Sequence, residues 1–366
     1  MKDSNMNARN ADSGSMSGHR FDYRWKLSDL QETKKNGCKV FSCFSCGGGS
    51  SMGYKLAGYE VIGNCEIDEQ INEIYKMNNH PKHNFSMDIR NFVAMDANEY
   101  PDEIKHLDIL DGSPQCSTFS MAGSREKAWG KEKMFREGQK EQTLDDLFFW
   151  FIKLIGKLQP KIYVAENVKG LLAGNAKGYV NQIVNELDEL GYTAQIFLLN
   201  SASMGVPQRR ERVFIIGHRK DLKYDKLELR FEEKPILYKE FADENYISIN
   251  ENTATYFRWK NRKARDSSIG DTVARTEKGK ISGFTTNYIK LNEVPRTLTA
   301  GSRPLRFDKP GYISDRDVKL IQSFPEDYDF NGNDAQYVCG MSVPPVMMAN
   351  IASEIYKQWL KGEKND

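Results

Sequence analysis

The sequence predicts an α/β protein: a parallel sheet with helices on both faces, followed by a smaller irregular domain. Three observations predict it. Short apolar runs at Val40–Phe44, Glu60–Asn64, Leu107–Leu110, Ile162–Ala165, Thr193–Leu199 and Val213–Gly217 alternate with helical runs, the pattern of repeated βαβ units. After Arg219 that alternation stops and the chain turns polar, with isolated aromatic islands. A final helical run, Val346–Leu360, carries an apolar face of Val346, Ile351, Ile355 and Trp359 that must pack back on the sheet.

In chain order, residues 1 to about 20 are Asn-, Ser- and Gly-rich without apolar period, which predicts disorder. Phe21–Thr33 reads as a short helix or a packed arm. A Gly-rich turn and a helix from Ser50 to Leu56 join the first two strands, and Ile71–Asn78, Leu144–Leu158 and Tyr179–Leu190 read as the helices that follow. Leu107–Leu110 runs into Asp111-Gly112-Ser113-Pro114, residues that favour a tight turn over a ladder. The expected organisation is an N-terminal extension (1–36), an α/β domain (37–218), a smaller irregular domain (219–335) and a returning segment (336–366).

The chain of 366 residues is 39% hydrophobic and 28% charged, ordinary for a globular protein. Lys and Arg number 52 against 51 Asp and Glu, so any basic surface must be local. It is: from Thr255 to Arg306 there are twelve Lys or Arg and four Asp or Glu, interleaved with Tyr256, Phe257, Trp259 and Tyr288. Such a mixture suits a phosphate backbone, and equally a solvated surface domain. No apolar run of membrane-spanning length and no signal-like core are present, so a cytoplasmic protein with no membrane partner is expected. Six scattered cysteines fit a reducing compartment; Cys43 and Cys46 form a C-x-x-C without a second pair, so no metal is expected.

Four stretches carry chemistry. Cys116 lies beyond a strand end, where open sheets bind ligands and a thiol is placed to act. Phe44-Ser45-Cys46-Gly47-Gly48-Gly49-Ser50 links strand to helix, where glycines admit a ligand close to the backbone and helix N–H groups face it; Glu66 follows the next strand at the offset of a ribose-binding carboxylate. Glu166-Asn167-Val168 puts a carboxyl at another strand end, able to donate a proton at neutral pH if burial raises its pKa. In Gln208-Arg209-Arg210-Glu211-Arg212, an extended backbone would align Gln208, Arg210 and Arg212 on one face as a row of donors.

The order of these motifs, closed by Gly340-Met341-Ser342-Val343-Pro344-Pro345, resembles that of the DNA (cytosine-5) methyltransferases over about residues 39–360, the basic segment excepted. The resemblance implies a Rossmann-like S-adenosylmethionine-dependent methyltransferase sheet with an irregular target-recognition domain. It implies that Phe44, Cys46, Gly48, Gly49, Glu66, Ile67, Asp88, Pro114 and Ser342 hold S-adenosylmethionine, whose product is S-adenosylhomocysteine. Cys116 would be the nucleophile, Glu166 the acid at the base ring with Asn167 beside it, and Arg212 the residue at the base carbonyl with Arg210 near it. DNA contacts would fall to Ser120, Gln208, Arg258, Lys260, Arg262, Lys263 and Arg303, with residues 120–143 as a loop closing over a flipped base and Pro295–Thr299 supporting the recognition domain. Three positions depart from the family pattern: Gln115 stands where proline usually precedes the cysteine, Met341 where asparagine is usual, and Cys46 where glycine is often found.

The implied function is methylation of carbon 5 of a flipped cytosine in a specific short duplex DNA sequence through a Cys116 adduct. A monomer acting in the nucleoid is expected, with a restriction endonuclease as possible functional partner. The alternatives are a tRNA cytosine-5 methyltransferase and a catalytically impaired DNA- or cofactor-binding homologue.

Overall fold

The computed structural model describes residues 18–114, 146–173, 176–277 and 286–362. In chain order the first half comprises β1 (Lys39–Cys43), α1 (Gly49–Leu56), β2 (Glu60–Glu66), α2 (Glu69–Asn79), β3 (His83–Ser86), α3 (Ile89–Ala94), β4 (Ile109–Gly112), α4 (Leu147–Leu158), β5 (Ile162–Val168), α5 (Ala176–Glu189), β6 (Gln195–Asn200) and β7 (Glu211–His218). The strands form a seven-stranded sheet of order β3-β2-β1-β4-β5-β7-β6.

Period-two alternation explains why both faces are buried. Phe41, Leu110, Tyr163 and Ile215 point into one core, closed by α3, α4 and α5. Val40, Ile109, Val164 and Phe214 point into the other, closed by α1 and the C-terminal helix. The latter, α10, spans Pro345–Ile355 and continues as a π-helical turn, Tyr356–Leu360; its predicted face of Val346, Ile351, Ile355 and Trp359 is buried.

Two expectations are corrected, and one unassigned stretch gains structure. The sheet is mixed, because β7 runs antiparallel to both β5 and β6. Only residues 201–210 separate β6 from β7, too short a stretch for the helical crossover that parallel pairing requires. Asp111 and Gly112 belong to the ladder, paired with Ser42 and Cys43 of β1 and with Val164 and Ala165 of β5, so the turn begins at Ser113. The stretch 83–94 holds a further strand and helix, of four and six residues, too short to show a period.

The second half continues with β8 (Tyr246–Ser248), α6 (Ala254–Lys260), α7 (Ile269–Thr276), β9 (Tyr288–Ile289), β10 (Leu305–Arg306), β11 (Gly311–Ile313), α8 (Asp315–Ile321) and α9 (Ala335–Met341) before α10. Its four short strands form a separate sheet, order β8-β11-β10-β9, over a small core of Ile249, Tyr288 and Leu305 with Trp259 and Phe307 beside it. A third cluster ties the halves together: Met52, Ile71 and Ile74 pack with Leu298, Val318, Phe324 and Val338. The N-terminal arm joins it through Tyr23 and Trp25, whose indole N–H donates to the Ser323 carbonyl at 2.9 Å.

Candidate active site

The carboxyl ends of β1, β2, β4 and β5 lie side by side, and each supplies a predicted site residue. After β1 the chain bends through left-handed backbone at Phe44 and Cys46 (φ 53° and 45°), and Gly48 (φ 80°) caps α1. Gly49 is needed for space: a Cβ there would sit 2.0 Å from the Val343 carbonyl oxygen, so the segment after α9 lies directly against the loop. Tyr328 reinforces this closure by donating its hydroxyl to the Gly47 carbonyl at 2.7 Å.

Glu66, at the end of β2, accepts the Cys46 N–H at 2.9 Å and the Asp68 N–H at 3.0 Å. Burial raises its pKa, and the backbone N–H groups oppose that shift. Burial likewise pushes the Cys46 thiol up to about 12, the Glu66 carboxylate adding to the effect, so the thiol stays protonated and acts as a small packing group. Ile67 follows β2 directly and is half-buried. Asp88 caps α3, accepting the Arg90 N–H at 2.8 Å, and pairs with the Arg90 guanidinium at 3.0 Å. The ring of half-buried Phe44 meets Phe151 edge-on, and Ser342, buried, donates its hydroxyl to the Val338 carbonyl at 2.8 Å.

At the end of β5 the Glu166 carboxylate meets Arg212, Oε1 to Nε 2.9 Å, across the β5–β7 ladder. Both side chains are largely buried; burial lowers the Arg212 pKa and the Glu166 charge works against that. Asn167 donates from Nδ2 to the Pro114 carbonyl at 3.0 Å, pinning the exit of β4 to the end of β5. Cys116 and Ser120 lie outside the described residues, as does the expected loop 120–143.

The row of three donors is corrected. β7 begins only at Glu211, and Gln208 and Arg210 turn inward. Arg210 donates to the carbonyls of Leu298 (2.8 Å), Gly340 (2.9 Å) and Ser342 (3.0 Å). Gln208, fully buried, accepts the Leu298 N–H and donates to the Ile321 carbonyl and to Gln322, which in turn donates to Ser342 O. These two side chains are spent holding Pro295–Thr299 and the segment after α9 against the base of β7, so neither is left to meet DNA.

The cations expected to meet DNA divide into engaged arginines and exposed lysines. Arg258 is bound through Nε and Nη2 to Glu277, Arg262 lies 3.6 Å over the Trp259 ring with Nε donating to the Phe307 carbonyl, and Arg303 pairs with Asp315 and Asp334. Lys260 and Lys263 are exposed. Sequence reasoning missed Asp111, whose side chain is buried beneath the first turn of α1.

With this geometry in view, comparison with known proteins decides the family. The model of the C-5 cytosine-specific DNA methylases matches residues 38–357. The chain belongs to that family. It is a DNA (cytosine-5) methyltransferase. It is 28% identical over 89% of its length to the type II methyltransferase M.FnuDI of Fusobacterium nucleatum, covering 96% of that protein. To M.NgoPII of Neisseria gonorrhoeae the identity is 29% (90% of this chain, 99% of the relative), and to M.Sau96I of Staphylococcus aureus 30% (93% and 80%).

Among solved structures, a prophage-encoded chain of E. coli matches with a TM-score of 0.65 at 20% identity, over 88% of this chain and 99% of that one. A DNMT2 mutant of Spodoptera frugiperda matches at 0.59 and 16%, over 87% and 100%. At such identities these structures establish the fold: a Rossmann-like methyltransferase sheet. Enzymes of the family use S-adenosylmethionine as a general rule, and the left-handed glycine loop beside Glu66 fits a nucleoside-bearing ligand. Among the described residues no group of three or more His, Cys, Asp or Glu is placed to hold a metal, and no helix is long and apolar enough to cross a membrane.

Proposed function

We propose that this methyltransferase transfers a methyl group from S-adenosylmethionine to carbon 5 of a cytosine flipped out of a specific short duplex DNA sequence, with Cys116 as nucleophile. The observation that carries the reading is the joining of two pairs at adjacent strand ends: Glu166 with Arg212, and Asn167 with the Pro114 carbonyl two residues before Cys116. The second pair supports the reading because it ties the strand that carries Glu166 to Pro114, two residues before Cys116.

The chemistry follows from what each group offers. A pyrimidine carbon 5 is a poor nucleophile, so the Cys116 thiolate adds first to carbon 6 and turns carbon 5 into an enamine carbon. Glu166, taking up a proton in competition with its Arg212 pair, eases that addition by donating that proton to the ring nitrogen, while Arg212, whose Nη1 donates to the Glu211 carbonyl, keeps Nη2 for the base carbonyl. S-Adenosylmethionine supplies the methyl group, leaving as S-adenosylhomocysteine. Loss of the carbon 5 proton to a base, departure of Cys116 as thiolate and return of the ring-nitrogen proton to Glu166 restore the aromatic ring. The glycine loop, with Phe44, Cys46, Gly48 and Gly49, and the carboxylates Glu66 and Asp88 hold the cofactor, while Ile67, Pro114 and Ser342 wall the site. Lys260 and Lys263 contact the phosphate backbone.

Named relatives are type II methyltransferases, which favours association with a restriction endonuclease of the same specificity. The deciding experiment is bisulfite sequencing of plasmid DNA and of tRNA from cells expressing the protein. Protected cytosines within one recurrent DNA motif are expected. Protection confined to tRNA would replace the reading with its nearest rival, and no protection in either would defeat it.

A further inference from the structure

A single buried carboxylate joins the cofactor loop to the strand that leads to the nucleophile. Asp111 is 1% exposed, and its Oδ2 accepts the hydroxyls of Ser42 on β1 and Ser50 in the first turn of α1, each at 2.8 Å; Oδ1 accepts the Tyr54 hydroxyl at 3.3 Å. Glu66 grips the same loop from the other side through the Cys46 N–H. The loop between β1 and α1 is therefore suspended between two carboxylates, one on β2 and one on β4.

We propose that Asp111 is a positioning residue that sets the glycine loop and the first turn of α1 in the geometry that binds S-adenosylmethionine. The inference rests on the cofactor assignment above and adds a residue to it. Three donors converge on one acceptor group, so the ionised carboxylate is the form that satisfies all of them. A protonated carboxyl, or an amide, puts a donor where hydroxyls already donate, and Ser50 must rotate away.

Burial raises the Asp111 pKa to about 7, against the pull of its three hydroxyl donors, and the Glu166 charge adds to the rise. The titratable groups that face it are Cys43 on β1, Tyr54 on α1, Tyr75 on α2 and Glu166 on β5. Burial holds the thiol and both phenols well above their ordinary values, so they stay neutral near pH 7, and Glu166 is paired with Arg212. The part of a neutral-range change in cofactor affinity that Asp111→Asn removes therefore traces to Asp111, while Glu66, whose pKa burial also raises, and the ligand's own amino group act equally in both proteins.

The test is calorimetric titration of the full chain with S-adenosylmethionine and with S-adenosylhomocysteine, from roughly pH 6 to pH 8.5, beside thermal unfolding. Asp111→Asn is expected to weaken both ligands about tenfold at the alkaline end, the equivalent of one lost buried hydrogen bond, without lowering the unfolding temperature. Wild-type affinity is expected to fall more steeply than the variant's as pH drops through 7. Ser50→Ala, which keeps the carboxylate, is expected to weaken binding about threefold and retain the pH dependence. Unchanged affinity in either variant, or parallel pH profiles for wild type and Asp111→Asn, overturns the proposal. A wild-type protein that binds neither ligand overturns the cofactor assignment itself, and this inference with it.

Discussion

Glu166 and Arg212 meet at 2.9 Å across the antiparallel β5–β7 ladder, two residues apart in register, with each side chain less than 15% exposed. Removing one partner leaves the other charge buried and unpaired, which costs on the order of 3 kcal/mol. Glu166→Gln keeps the shape but removes the acid. Its methyl transfer is expected to fall by about 100-fold or more while the fold survives, as measured by tritium incorporation beside a circular dichroism melt. Activity within a few fold of wild type would remove Glu166 from the chemistry.

Arg210 behaves differently, because its guanidinium meets three carbonyls and no carboxylate. Arg210→Ala orphans those carbonyls and is expected to destabilise the protein by about 3 kcal/mol in denaturant unfolding. Lysine lacks the planar fork, so Arg210→Lys should recover less than half of that loss.

Most of the sheet was legible in the sequence, since Val40, Leu110, Tyr163 and Ile215 sit in runs whose burial on both faces leaves a continuous apolar signature. The direction of β7 was not, because strand direction depends on the connection between strands and leaves no trace in the run itself. Inward turning of Gln208 and Arg210 was hidden for a related reason: a period-two reading assumes extended backbone, and β7 starts only at Glu211. The short strands β8 to β11, two or three residues each, carry no periodicity long enough to read. Asp111 looked like a turn residue because Gly112, Ser113 and Pro114 follow it, and its partners Ser42, Ser50 and Tyr54 are distant in sequence. The strand-end positions of the glycine loop, Glu66 and the Glu166-Asn167 pair were legible because the apolar runs before them mark where β1, β2 and β5 end.

The pKa of Asp111 carries a stability consequence of definite sign. A carboxyl whose folded pKa rises from 3.8 to about 7 binds its proton more tightly in the native state. The native protein therefore loses stability as pH climbs from about 4 to 7, by about 4 kcal/mol in all, and loses no more from this group above that range. Asp111→Asn lacks this dependence, so its unfolding free energy relative to wild type should rise over that window and plateau beyond it. A constant difference from pH 4 to pH 8 would contradict the assignment.

Gly49 leaves no room for a side chain, with the Val343 carbonyl 2.0 Å from the Cβ position. Gly49→Ala must push the segment after α9 away from the loop. Cofactor affinity is expected to fall by about tenfold or more in a titration, with a smaller loss of thermal stability.

Lys260 and Lys263 are exposed, whereas the arginines Arg258, Arg262 and Arg303 have partners within the protein. Replacing both lysines by alanine should weaken binding to all duplexes alike and reduce the salt slope of log affinity by about 2. A selective loss on one sequence would make them base readers instead.

Covalent capture tests the central claim most directly. Duplex DNA carrying 5-fluorocytosine in the motif found by bisulfite sequencing, incubated with the protein and S-adenosylmethionine, blocks loss of the carbon 5 substituent and traps the thiol on the base. The account predicts a denaturation-resistant protein–DNA species with wild type and none with Cys116→Ser. Absence of that species with wild type, or its persistence with Cys116→Ser, would contradict it.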